Sequence, residues 1–226
     1  MEFIIDTVDL KDIKEMVEYL PIVGVTSNPS IVKATSPKDF FNHIREVRNI
    51  IGKERSLHVQ LISKDAETMI KEAHRILEEV DKDVYIKVPV SMEGLKAIKA
   101  LKAEGIKITA TAVYTIMQAY LALEAGADYI APYVNRIGNL DGDPMKLIRE
   151  LQGRIEKDNY DCKILAASFK NVQQVREAFA NGAESITAGP DVLKQVFKNP
   201  SIEKAVDDFN ADWYSMYGEG KGIMDI

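Results

Sequence analysis

A parallel (β/α)8 barrel, the TIM-barrel architecture, with one extra helix at the carboxyl end is the fold this sequence predicts. Three observations lead there. β-Branched runs alternate with longer helical patterns through the 226 residues, the helix-to-strand joints repeat a glycine just past the helix, and no composition break divides the chain. Short joints between alternating β and α units build a parallel sheet with helices outside it. A doubly wound open sheet is the alternative, but eight regular units and the lack of a glycine-rich turn after the first strand weigh against it. Residues 1–226 are read as one domain, with 201–226 its C-terminal helix and tail.

In chain order, strands are expected near 2–6, 22–26, 56–61, 84–88, 107–111, 128–133, 163–168 and 184–187. Helices fall between them, near 9–19, 37–51, 65–79, 92–104, 114–125, 143–157, 171–181 and 190–198. Ser36-Pro37 is read as an N-cap before a first-turn proline, and Ser91 as the cap before Met92. Leu95, Ile98 and Leu101 repeat at helical spacing and should face the sheet. Gly105, Gly126 and Gly182 each follow a helix, where a left-handed residue closes the last turn. A ninth helix near 201–216 carries a stripe of Ile202, Val206, Phe209 and Trp213, which either caps its own barrel or docks on a neighbouring subunit.

Composition narrows the function. Hydrophobic residues make up 46% of the chain, enough to fill a core. With 29 basic and 35 acidic residues the net charge is −6, which disfavours nucleic-acid and anionic-membrane partners, so a phosphate must be held by a local site. One cysteine, Cys162, rules out an intrachain disulfide. The start lacks the pattern of a secretory leader and no apolar run is long enough to span a bilayer, so the cytoplasm is the expected location.

Strand phase identifies what points into the barrel, because the outward face lies under helices and should be apolar. Phe3 and Ile5 out leave Ile4 and Asp6 in; Val23 and Val25 out leave Gly24 and Thr26 in. Leu57, Val59 and Leu61 turn His58 and Gln60 inward, and Val84, Ile86 and Val88 turn Tyr85 and Lys87 inward. Ile108 and Ala110 leave Thr109 and Thr111 inside; Ile130 and Pro132 leave Tyr129, Ala131 and Tyr133. On the seventh strand Leu165 and Ala167 are placed outward and Ser168 inward. The last inward residues of seven strands, Asp6, Thr26, Gln60, Lys87, Thr111, Tyr133 and Ser168, are all polar and all at the carboxyl end, where barrels build active sites.

Lys87 carries the chemistry. A free lysine is neutral in only about one molecule in 2,500 at pH 7. Burial disfavours the cation and lowers the pKa by up to ~3–5 units. The neutral amine adds to a ketone and forms a Schiff base, whose iminium draws electrons from the neighbouring carbon–carbon bond. A structural ion pair between Lys87 and Asp6 is the competing reading. Tyr133, Gln60 and Thr111 can hold a proton-carrying water, and Asp6 can accept the hydroxyl proton released on cleavage. Asn28 either orients a substrate hydroxyl or serves an Asn-Pro turn. Arg136 and Ser168 suit a phosphate, with a surface ion pair as the rival for Arg136. His43, His58 and His74 are scattered without a second ligand at metal spacing, so no metal is expected and none of the nucleotide-cofactor motifs is present. His58 is read as a lower-layer barrel residue.

These segments resemble the small-transaldolase and fructose-6-phosphate aldolase family, essentially end to end. The likeness is carried by Phe3 to Thr7, Gly24-Val25-Thr26-Ser27-Asn28-Pro29-Ser30, Ile86-Lys87-Val88-Pro89-Val90 and Glu93-Gly94-Leu95. It continues in Ala131-Pro132-Tyr133-Val134-Asn135-Arg136 and Leu165-Ala166-Ala167-Ser168-Phe169. The resemblance implies a metal- and cofactor-free class I enzyme with Lys87 as Schiff-base lysine. It implies Asp6, Gln60, Thr111 and Tyr133 in proton handling, Thr26 and Asn28 at donor hydroxyls, and Arg136 with Ser168 at phosphate. It further implies a sugar-phosphate or ketose substrate and a homo-oligomer, a pentamer or decamer assembled through C-terminal helices. Gln60 and Tyr133 look like the aldolase branch, since transaldolases typically carry glutamate and phenylalanine there. Ser27 in place of threonine and the Ala188-Gly189-Pro190 loop depart from the usual pattern. The expected reaction is reversible cleavage of fructose 6-phosphate to dihydroxyacetone and glyceraldehyde 3-phosphate. Dihydroxyacetone transfer between sugar phosphates is the alternative, and a non-catalytic sugar-phosphate-binding barrel a distant one.

Overall fold

In the computed structural model, which describes all 226 residues, every β-branched run becomes a strand. The strands are β1 (Glu2–Asp6), β2 (Ile22–Thr26), β3 (Ser56–Gln60), β4 (Tyr85–Pro89), β5 (Ile108–Val113), β6 (Tyr129–Pro132), β7 (Lys163–Ala166) and β8 (Ser185–Ala188). The helices are α1 (Leu10–Tyr19), α2 (Pro29–Thr35), α3 (Phe40–Ile51), α4 (Ala66–Glu79), α5 (Met92–Ala103) and α6 (Ile116–Glu124). They continue with α7 (Val134–Asn139), α8 (Pro144–Asp158), α9 (Val172–Ala180), α10 (Pro190–Lys194) and α11 (Pro200–Tyr217). All neighbouring strands pair in parallel, and β1 closes the barrel on β8 through Glu2↔Ser185 to Ile5↔Ala188.

Local chemistry explains the helix ends. Ser91 caps α5 by accepting from the Gly94 amide at 3.0 Å, and Ala97, Ile98 and Leu101 bury against the sheet. Each such Ile or Leu contributes about 1.5–3 kcal/mol on burial. Gly105, Gly126 and Gly182 take φ of 76°, 88° and 106°, the left-handed joint the repeat implied. The Ser36 expectation is corrected. Ser36 ends α2 in a left-handed conformation, φ 47°, and Asp39 caps α3 instead. A proline after a helix stop reads the same in sequence as a proline after a helix start.

Two hydrophobic layers follow from strand alternation. The larger lies between sheet and helices; the smaller fills the barrel with Ile4, Tyr129, Ala131, Leu165 and Ala167. The latter corrects the seventh strand, since Leu165 and Ala167 point inward while Ile164 and Ala166 lie under the helices. Ser168 is not reached by alternation. It turns into the mouth because its own backbone is left-handed, φ 63°. On β2 a register shift opposite Phe3/Ile4 leaves Val23 38% exposed and puts Ile22 in the outer core. The short helices α2 and α7, which the periodicity did not predict, follow β2 and β6 directly and form the rim of the mouth.

Helix α11 buries no residue, and Phe209 on it is 71% exposed. Of the two readings of its stripe, capping of its own barrel is not what the chain does. No helix is long and apolar enough to cross a membrane.

Candidate active site

The carboxyl ends of the strands surround a cavity of about 540 Å3, lined by Asp6, Asn28, Lys87, Tyr133, Arg136, Ser168 and Thr187 among others. Lys87 stands at the wall, 5% exposed, its Nζ donating to the Ser27 carbonyl at 2.9 Å. Burial pushes its pKa down, and Asp6 only partly offsets this. Burial pushes the Asp6 carboxyl up, against Lys87, a hydrogen bond from Thr26 and Arg136. Both shifts favour the uncharged forms. The two groups form no ion pair within 4.0 Å, although each feels the other's charge.

Thr26 is fully buried and its Oγ1 lies 2.6 Å from Asp6 Oδ1 and 2.6 Å from Thr187 Oγ1, behind the wall and not on it. Tyr133 OH and Thr111 Oγ1 are 2.9 Å apart, and burial raises the phenol pKa. The Arg136 guanidinium lies over the Tyr133 ring at 4.7 Å and forms no ion pair within 4.0 Å. Gln60 pairs in register with Lys87 but opens onto two smaller clefts, about 370 and 280 Å3, that it shares with Phe40 and Ile62. Its Oε1 is buried and accepts no hydrogen bond from another group of the protein. Asn28 does what a turn residue does, capping α2 by accepting from the Ser30 and Ile31 amides at 3.0 and 3.1 Å. Its amide nitrogen is left for the cavity that it lines.

His58 is sealed beneath this layer, bonded to Thr109 at 2.8 Å and Ser56 at 2.9 Å and stacked on Tyr85 at 4.6 Å. Burial, then Lys87, hold its pKa well below the ordinary value. His43 bonds the Val8 carbonyl and His74 pairs with Glu104. No three His, Cys, Asp or Glu side chains gather as a metal set.

A buried amine of lowered pKa, a carboxyl of raised pKa and a tyrosine–threonine pair around one cavity can form and break an imine. The model of the Transaldolase/Fructose-6-phosphate aldolase family matches residues 3–219. This chain belongs to that family of enzymes. It is also 54% identical over 214 residues to a "Probable fructose-6-phosphate aldolase" of Streptococcus pneumoniae (strain ATCC 700669 / Spain 23F-1), spanning 95% of this chain and 96% of that one.

For this member of the transaldolase/fructose-6-phosphate aldolase family, sequence reasoning missed several groups at the site, among them Thr187, Lys170 and the Ser27 carbonyl. Thr187 on β8 was reachable by the same alternation, since Ile186 lies in the outer core. Lys170 lines the cavity two residues past Ser168, where no strand phase applies. The Ser27 carbonyl that holds Lys87 is a backbone group, invisible to any reading of side chains.

Proposed function

We propose that this protein is a class I aldolase that reversibly cleaves fructose 6-phosphate to dihydroxyacetone and glyceraldehyde 3-phosphate. The observation that carries the reading is the Lys87 amine, nearly sealed from water at the barrel mouth yet facing the cavity. Neutral Lys87 adds to the C2 ketone, giving a carbinolamine that loses water to an iminium. The C3–C4 bond then breaks, its electrons pass into the iminium to form an enamine, and Asp6 accepts the C4 hydroxyl proton. Glyceraldehyde 3-phosphate leaves, the enamine is protonated at C3, and hydrolysis frees dihydroxyacetone. Tyr133 with Thr111, and the unpartnered Gln60 Oε1, suit a water that moves protons in these steps. Arg136, Ser168 and Lys170 lie on one side of the cavity and suit the phosphate.

Transfer of the enamine to an acceptor aldehyde is the second reading, because the family covers both reactions. The Tyr133 hydroxyl, bonded to Thr111, favours cleavage, since it supplies a proton to the water route that ends in free dihydroxyacetone. Incubation with fructose 6-phosphate alone decides between them. Free dihydroxyacetone is expected; a strict need for added erythrose 4-phosphate would overturn the aldolase reading. Borohydride trapping of dihydroxyacetone on Lys87, located by peptide mapping, tests the imine.

The chain works as one domain, since the cavity joins Asp6 near one end to Thr187 near the other. Its exposed α11 stripe fits assembly of identical subunits, a pentamer or decamer, and the buried free thiol of Cys162 fits the reducing cytoplasm.

A further inference from the structure

Thr187, on the strand that closes the barrel, has a single side-chain partner in the protein. Its Oγ1 lies 2.6 Å from Thr26 Oγ1, which lies 2.6 Å from Asp6 Oδ1. Thr26 is 0% and Thr187 2% exposed, so bulk water does not compete along this chain. Both ends, the carboxyl group of Asp6 and Thr187, line the cavity, and the Thr26 hydroxyl joins them behind its wall.

A threonine hydroxyl has one proton to give and two lone pairs to receive. With Asp6 ionised, Thr187 donates to Thr26 and Thr26 donates to Asp6. With Asp6 protonated on Oδ1, the direction reverses: Asp6 donates to Thr26, Thr26 to Thr187, and the Thr187 proton is freed toward the cavity. A concerted shift along the reversed chain breaks three O–H bonds and makes three. The Asp6 proton goes to Thr26, the Thr26 proton to Thr187, and the Thr187 proton to a water oxygen in the cavity. Asp6 returns to a carboxylate, both hydroxyls end neutral, and the water, now a hydronium, gives its extra proton to C3 of the enamine.

We infer that Thr187, acting through Thr26, is a positioning residue that ends a hydroxyl relay by which Asp6 passes back the proton it takes during cleavage. The inference rests on the aldolase reading of the site. Fructose 6-phosphate cleavage releases no net proton, so whatever Asp6 removes from the C4 hydroxyl must return before the next turnover. Burial raises the Asp6 carboxyl, and the Arg136 guanidinium on α7, with Lys87 on β4 whenever it is charged, works the other way and favours the ionised form that lets the proton leave again. Hydroxyl chains strengthen one another, so loss of the far member weakens the near hydrogen bond.

Thr187→Val keeps the branched shape and removes the hydroxyl; Thr187→Ser keeps the hydroxyl. For Thr187→Val the expected result is kcat lower by about 10-fold, a fraction of the 10²–10⁴ that acid–base catalysis supplies. KM should stay within about twofold, and the acid limb of the kcat profile should move up by about half a pH unit as ionised Asp6 loses support. Thr187→Ser should restore all three. Single-turnover cleavage by the native enzyme in mixed H2O and D2O should show more than one proton in flight, a measurement that stands even if the valine variant does not fold. Native kcat and pH profile in Thr187→Val, or a one-proton inventory in the native enzyme, overturn the relay. Dihydroxyacetone trapping by borohydride is run alongside: native enzyme that neither traps nor cleaves sinks the aldolase reading, whereas intact trapping and cleavage leave failure to the relay alone.

Discussion

Lys87 Nζ and the Ser27 carbonyl oxygen are joined by a hydrogen bond of 2.9 Å, across strands β4 and the end of β2. An ammonium group has three donors and no lone pair, whereas a neutral amine has two donors and one lone pair. Donation of one N–H to Ser27 pins the nitrogen while leaving the pair that attacks a ketone free. Burial already favours that neutral form. One contact thus both steadies the nucleophile and orients it.

Removing the amine should trade activity for stability. Lys87→Met is expected to abolish turnover and borohydride trapping while raising stability at neutral pH by about 1–2 kcal/mol, as when a well-packed apolar side chain replaces a buried ionic group. For a chain of this size that is about 2–8 °C in Tm. The sign follows from proton linkage. A lysine depressed in the folded state binds fewer protons there than when unfolded, so its contribution to stability falls as pH drops from the ordinary lysine pKa through the folded one. The raised Asp6 works oppositely, lowering stability as pH rises from the ordinary carboxyl pKa through the folded one. Thermal melts of Lys87→Met and Asp6→Asn across pH separate the two limbs; no gain in Tm for Lys87→Met would count against a strained amine.

Tyr133→Phe removes the partner of Thr111. Free dihydroxyacetone from fructose 6-phosphate is expected to fall about 10²-fold, the low end of what a proton-transfer group supplies. Transfer to erythrose 4-phosphate should take a larger share of turnover. Product ratios by chromatography check this, and unchanged cleavage would remove the hydroxyl from the mechanism.

Ser168 holds a left-handed backbone, φ 63°, that costs a residue with Cβ about 1–2 kcal/mol. Ser168→Gly relieves that cost, partly offset by the flexibility of glycine in the unfolded chain. Stability is expected to change by less than about 1 kcal/mol while KM for fructose 6-phosphate rises several-fold. Cleavage of unphosphorylated fructose should not share that rise. Equal effects on both substrates would place Ser168 away from the phosphate.

A methyl group at Gly94 would sit 1.9 Å from the Pro89 carbonyl oxygen, so the start of α5 and the end of β4 must part. Gly94→Ala is expected to cost about 1–3 kcal/mol by overpacking. It should also lower kcat, because Pro89 is two residues from Lys87. Denaturant melts and kinetics on one preparation test both effects together.

The α11 stripe predicts assembly. Phe209→Asp should reduce the mass measured by light scattering after gel filtration, while the far-ultraviolet dichroism of the barrel persists, since α11 buries nothing against it. Native mass in this variant would exclude Phe209 from any interface.

Much of the site was legible because a strand alternates faces strictly. One apolar face under helices fixes the other, which is how Asp6, Gln60, Lys87, Thr111 and Tyr133 were found. That reasoning failed on β7, where Ile164 and Ala166 on one face and Leu165 on the other are all apolar and so do not fix the phase, and it failed where the backbone leaves the strand geometry. At Val23 a register shift interrupts the alternation, and at Ser168 a left-handed residue does so. Helices α2 and α7 were missed because elements of about two turns carry too few apolar positions to establish a period.

By itself the sequence determined the barrel, the lysine on its fourth strand and the polar set at the carboxyl ends, because hydrophobic periodicity is local and survives without coordinates. Only the tertiary structure decided that Lys87 rests on the Ser27 carbonyl, that Thr26 stands behind Asp6 and links it to Thr187, and that α11 leaves its apolar face uncovered. Those relations depend on backbone carbonyls, on strands distant in sequence meeting as the barrel closes, and on where surfaces find partners. None of these is encoded in the pattern of any single segment.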